Sequence, residues 1–192
     1  DPFWAKAEEL DVPLFLHPQG VPELEARLQG NGMLGNVIGN PLATTIALSH
    51  LIFEGTLDRF PRLKLCAAHG GGYLPSYADR SDYGCGTRPE QCTTPLNKRP
   101  TEYLKQLYFD SLVFSSEALR HLVAVYGASQ IMIGTDYPFP WTAIPGDGRL
   151  PRFLAVDHVL GTPGLSDTTL ETDESGEGQA VFMATDPGDS VV

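Results

Sequence analysis

Four short apolar runs, each closing on an ionisable residue, constrain this chain more than any other feature. Val12 to Leu16 leads into His17, Leu63 to Ala68 into His69, and Leu107 to Phe109 into Asp110. Ile131 to Ile133 leads through Gly134 and Thr135 into Asp136. Apolar runs of this length, interrupted by a charge only at Lys64, suit strands covered on both faces, as in parallel sheets. Helical patterns fill the intervals. Asp1 to Leu10 reads as the end of a helix. Pro41 to Arg59 places Leu42, Ile46, Ser49 and Phe53 near one face, with proline in the first turn. Ser116 to Tyr126 carries Leu119, Leu122, Val123 and Tyr126 at helical spacing. Ser115 or Ser116 caps its start, and Gly127 ends it in a left-handed conformation. Alternating strands and helices imply right-handed parallel crossovers and an α/β fold.

The remaining segments lack such periodicity. Asp79 to Pro100 is rich in Gly, Pro, Cys and Thr and reads as a loop insertion, as does Gly146 to Leu154. From Leu165 onward there are seven acids and no Lys or Arg, so most of the net charge of −11 sits there. Few apolar groups offset the ordering entropy of that stretch, and residues 166–192 are expected to be a disordered tail after a domain spanning 1–165. The acidic balance argues against a nucleic-acid partner, and no apolar run is long enough to span a bilayer. No charged-then-apolar leader opens the sequence. Cys66, Cys85 and Cys92 form no C-x-x-C pair, and the reading is three reduced, unpaired cysteines in a cytoplasmic protein.

The chemistry lies at the strand ends. In a parallel barrel those ends gather at one rim, where ligands and catalysts are held. Two imidazoles and a carboxylate there (His17, His69 and Asp136) suit a divalent metal of the zinc type. The Gly70-Gly71-Gly72 run after His69 lets backbone approach a ligand closely. An esterase oxyanion loop also uses an H-G-G-G string, but it needs a G-x-S-x-G nucleophile elbow, which is missing here. No G-x-x-x-x-G-K or G-x-G-x-x-G phosphate loop occurs either. His50 reads as a core-edge residue, His121 as solvent-facing and His158 as a packing or capping residue.

Three strings in order carry a family resemblance: Leu14-Phe15-Leu16-His17-Pro18, Ala68-His69-Gly70-Gly71-Gly72 with Leu74-Pro75 after it, and Gly134-Thr135-Asp136-Tyr137-Pro138-Phe139. Together they resemble the amidohydrolase-related family of 2-amino-3-carboxymuconate-6-semialdehyde decarboxylase, which includes γ-resorcylate and 5-carboxyvanillate decarboxylases. The stretch Val156 to Pro163 resembles the family's approach to its C-terminal helix. The resemblance implies the C-terminal part of a (β/α)8 TIM-type barrel with one divalent metal, zinc foremost and manganese second. It implies that His17 and Asp136 are metal ligands, that Asp136 and His69 are catalytic, and that His69 handles protons. Arg80 falls where the family places an arginine that reaches across a homodimer interface to a substrate carboxylate. Tyr137, Phe139 and Trp141 would line the pocket. The family's His-x-His pair on its first strand is absent from this sequence, so the barrel is expected to be incomplete.

These readings converge on metal-dependent decarboxylation of an aromatic or muconate-type carboxylic acid. The alternatives are metal-dependent hydrolysis of a C–C bond or lactone at the same residues, and a truncated chain without catalysis. The expected partner is a small carboxylate substrate, with no nucleic acid and no membrane.

Overall fold

The computed structural model describes residues 1–134 and 136. The chain divides into two compact units, Asp1–Asp110 and a second that begins at Ser111. Tyr137, Phe139, Trp141, residues 146–154, His158 and the acidic stretch 166–192 lie outside the described residues.

The first unit is built on three strands: β1 (Leu14–Leu16), β2 (Leu65–Ala67) and β3 (Tyr108–Asp110). They pair in parallel and in chain order, with Leu14 opposite Leu65, Leu16 opposite Ala67, and Ala67 opposite Phe109. The central strand β2 is buried throughout, as its apolar run requires. β1 departs from that expectation, since Phe15 is 58% exposed. Among the described residues it pairs with β2 alone, so one edge of it is uncovered.

Helices precede and separate these strands. α1 (Pro2–Glu9) has proline in its first turn, where a missing N–H costs nothing. The Glu8 carboxylate accepts the Arg62 backbone N–H at 2.7 Å and ties α1 to the turn before β2. The expected helix from Pro41 to Arg59 is two helices, α2 (Asn40–Phe53) and α3 (Thr56–Arg59). Gly55 breaks them with φ +70°, a left-handed value that favours glycine. The face α2 buries carries Thr44, Leu48, Leu51 and Ile52, whereas Ile46 is exposed.

The segment read as a loop insertion contains α4 (Asp79–Thr87), a 3-10 turn at Pro89–Gln91 and the start of α5 (Pro100–Tyr103). No side chain from Asp79 to Arg99 is buried, which is why apolar periodicity gave no sign of a helix. Polar contacts hold the segment instead: the Asp82 carboxylate accepts the Thr101 N–H at 3.0 Å and its hydroxyl at 2.7 Å. The reading of three unpaired cysteines also needs correction. Chain reversal through Pro89–Gln91 brings Cys92 within 5.6 Å of Cys85, Cα to Cα, and the two form a disulfide. Their spacing of seven carries no C-x-x-C signal, so only the reversal reveals the pair. Cys66 alone is a buried thiol.

The second unit contains α6 (Ser116–Tyr126) and β4 (Ile131–Met132). Ser115 caps α6, its hydroxyl accepting the Ala118 N–H at 3.0 Å. Leu119, Leu122 and Tyr126 are buried, as the periodicity predicts. Gly127 follows with φ +94° and ψ 150°, outside the left-handed helical well and in a region that strongly favours glycine. Among the described residues no helix is long and apolar enough to cross a membrane.

Candidate active site

β1 and β2 run parallel and in register, so their C-terminal ends lie level. His17 follows β1 directly, and His69 follows β2 after Ala68. The two imidazoles meet edge to face, with ring centroids 5.2 Å apart and planes at 67°. His17 is exposed and His69 is partly buried.

The turn that aims His69 is unusual. His69, Gly70, Gly71 and Gly72 all have positive φ, at 55°, 59°, 80° and 68°. For a histidine this conformation costs of order 1 kcal/mol and persists only if the surroundings impose it. Asp110, the last residue of β3 and 4% exposed, imposes it. Its Oδ2 accepts the His69 N–H at 2.9 Å, and its Oδ1 accepts the Gly70 N–H at 2.8 Å. The sequence marks Asp110 as a rim residue but does not reveal this bracing role. An acid at the end of the neighbouring strand was the available signal.

The glycine run serves packing within the fold. A Cβ at Gly71 would lie 2.8 Å from the Phe109 ring and from Pro75, and one at Gly72 would strike the Pro41 carbonyl oxygen. The backbone that was expected to approach a ligand therefore approaches β3 and α2. Thr45 completes the docking: its hydroxyl accepts the Tyr73 N–H at 2.8 Å and donates to the Pro41 carbonyl at 2.8 Å. Beneath the turn, burial pushes the Cys66 thiol up to about 12, and the Asp110 charge adds to the effect.

The other two candidates stand elsewhere. Arg80 lies in the first turn of α4, with its guanidinium 6.0 Å from the centroid of the Tyr77 ring. It lines a cavity to which neither His17 nor His69 contributes. Asp136 belongs to the second unit, past β4, partly buried and with φ +56°. In that unit the Gly134 N–H donates to the Ser111 hydroxyl at 3.3 Å. His50 is exposed rather than at the core edge, with Nδ1 2.6 Å from Glu54 Oε1. His121 is exposed, as expected.

The amidohydrolase family profile matches residues 1–172. The chain belongs to the amidohydrolase family. It is 37% identical over 139 residues to the 2-amino-3-carboxymuconate-6-semialdehyde decarboxylase of Dictyostelium discoideum, covering 72% of this chain and 38% of the relative. Among solved structures it is similar to 5-carboxyvanillate decarboxylase from Sphingomonas paucimobilis, with TM-score 0.68 and 26% identity over 84% of this chain and 47% of the other. It is also similar to a dihydroxybenzoic acid decarboxylase from a Polaromonas species, solved with bound manganese and the inhibitor 2-nitroresorcinol. That match has TM-score 0.64 and 26% identity, over 83% of this chain and 45% of the other. The amidohydrolase chain thus spans between a third and a half of the length of these proteins. Its parallel strands and intervening helices form part of the α/β barrel of these decarboxylases.

Proposed function

We propose that this amidohydrolase chain carries active-site residues of a metal-dependent, non-oxidative decarboxylase acting on an aromatic or muconate-type carboxylic acid. The observation that carries the reading is the His17–His69 imidazole pair at the ends of adjacent parallel strands. The bracing of His69 by a buried carboxylate strengthens it, because strained, over-determined backbone is concentrated at functional sites.

In this reading His17 and Asp136 hold a divalent cation. Imidazole and carboxylate donors suit zinc, and manganese is the second candidate because the Polaromonas decarboxylase holds it. Bound there, the ion supplies Lewis-acid polarisation of the substrate. His69 handles the proton, delivering it to the ring or chain carbon that loses CO2. Arg80 holds a substrate carboxylate, reaching it across a homodimer interface. Hydrolysis at the same residues is the competing chemistry, but the named relatives above are decarboxylases.

The test is product analysis in isotopically labelled water, using hydroxybenzoates as substrates with zinc or manganese added. Release of CO2 with a proton at the vacated carbon, and no solvent oxygen in the organic product, is the expected result. Solvent oxygen in the product would make the chain a hydrolase.

A further inference from the structure

Cys85 stands in the last turn of α4 and Cys92 just after the 3-10 turn, both half-buried, and their disulfide closes a short loop over residues 85–92. Little else restrains that loop. No side chain from Asp79 to Arg99 is buried. The Thr87 hydroxyl and the N–H groups of Arg88, Gln91 and Cys92 donate to carbonyls of Tyr83, Gly84, Arg88 and Pro89, all inside the same tip. Gly84 and Gly86 flank Cys85 and lower the helix propensity of its turn. The tip is tied down at its two ends instead. The Asp82 carboxylate accepts from Thr101 on one side, and the Asn97 N–H donates to the Asp58 carboxylate at 3.1 Å on the other.

A disulfide is shielded from thiols when parting its sulfurs requires the fold around it to open. Parting Cys85 from Cys92 requires only that the last turn of α4 fray, because no core comes apart with it. Local openings of that kind lie at the low end of the stability range. The bond in turn restrains the tip. Loop-closure entropy for a loop of this length makes the frayed state about fiftyfold more populated once the bond is cut. The coupling stops at Asp82 and Asn97, since the strand pairing and the bracing of the His69 turn draw on no residue between them. Cys66, a free thiol buried in β2, reports whether the unit itself opens.

We propose that Cys85 and Cys92 form an exchange site for a small-molecule thiol, and that its redox state sets whether residues 83–92 are ordered. A thiolate of that class attacks one of the two sulfurs, forming a mixed disulfide and releasing the other cysteine as a thiolate. A second thiol attacks the mixed disulfide. Both cysteines end reduced, and the two small thiols, having supplied the two electrons, leave joined as their own disulfide. The small disulfide drives the same steps in reverse. Thr45 and Phe53 of α2 line one cavity of about 570 Å³ with the two cysteines, so oxidation firms one wall of that cavity and reduction loosens it. The site shares no residue with the metal candidates, so it stands or falls apart from the decarboxylase reading.

The experiment incubates the intact, oxidised chain in graded mixtures of reduced and oxidised glutathione without denaturant. Alkylation and mass spectrometry then count open cysteines, and amide hydrogen exchange follows order. The Cys85–Cys92 bond should open as the mixture becomes reducing, through a species carrying one glutathione, while Cys66 stays unalkylated. On opening, the Arg88 and Cys92 amides should exchange at least about tenfold faster, and those of Leu65–Ala67 should not change. Cys92→Ser should fold, show the reduced exchange pattern at any mixture, and take one glutathione on Cys85. A bond that excess reduced glutathione opens only after urea is added would make the disulfide a structural staple and overturn the proposal. So would alkylation of Cys66 on reduction, unchanged exchange at Arg88, or a Cys92→Ser chain that fails to fold.

Discussion

Asp110→Asn is the most informative single substitution. The wild-type carboxylate offers one oxygen to the His69 N–H and the other to the Gly70 N–H. Asparagine keeps one acceptor oxygen and puts an NH2 in place of the second, so one buried N–H would face another donor. Hydrogen bonds to charged groups contribute about 1.5–3 kcal/mol each, and an unsatisfied buried donor costs about 1–3 kcal/mol. The expected destabilisation is therefore about 2 kcal/mol, roughly a thirtyfold shift in the folding equilibrium. Asp110→Ala, which removes both acceptors and opens a void, should cost about 4 kcal/mol. Urea unfolding followed by circular dichroism measures both, as a lower midpoint at unchanged slope. The same change should relax the His69 turn, so activity in the metal-loaded protein should fall even where the variant remains folded. Stability within about 0.5 kcal/mol of wild type in Asp110→Asn would refute the bracing argument, because that is the scatter of ordinary surface substitutions.

Three further outcomes are expected. His69→Ala should leave metal content unchanged by elemental analysis and lower kcat about 10²- to 10⁴-fold, whereas His17→Ala and Asp136→Ala should each reduce the metal content itself. Gly72→Ala should lower the thermal midpoint by an amount equivalent to about 3 kcal/mol or more, since its Cβ meets a backbone carbonyl at φ +68°. Stability should also fall at high pH, because Cys66 holds its proton to about 12 when folded against an ordinary 9.0. A pKa raised by folding gives a contribution that is intact below pH 9 and is lost as pH climbs from 9 through about 12. Tyr103, pushed to about 12 mainly by burial, acts in the same direction from pH 10 upward. Cys66→Ala should therefore flatten the decline in urea midpoint first between pH 9 and 10.

Strands and the amphipathic α6 were legible because their patterns leave little choice of face. Three of the four apolar runs contain a strand trimmed by a residue or more, the third yields β3 shifted by one residue to take in Asp110, and α6 begins and ends where its caps predict. α2 was harder. Its residues are apolar on nearly every side, so the phase of the buried face is not set by composition, and it falls on Thr44, Leu48 and Leu51. α4 was illegible for the opposite reason: it buries nothing, and two glycines lower its helix propensity. At the site, the residue types and their strand-end positions were readable, and the resemblance supplied roles for His17, His69, Arg80 and Asp136. The bracing of His69 was not readable, because Asp110 is 41 residues away and works through backbone N–H groups that no side-chain pattern records.

The disulfide makes preparation history an experimental variable. Between Asp79 and Arg99 nothing is anchored by a core, so the Cys85–Cys92 link closes the short loop that contains Arg88. Protein handled under reducing agent should be cut by a glutamate-specific protease after Glu90, which is exposed inside the loop, while oxidised protein should resist cutting there or stay joined after the nick. Two batches with identical sequences could thus differ in protease sensitivity at one surface and agree everywhere else.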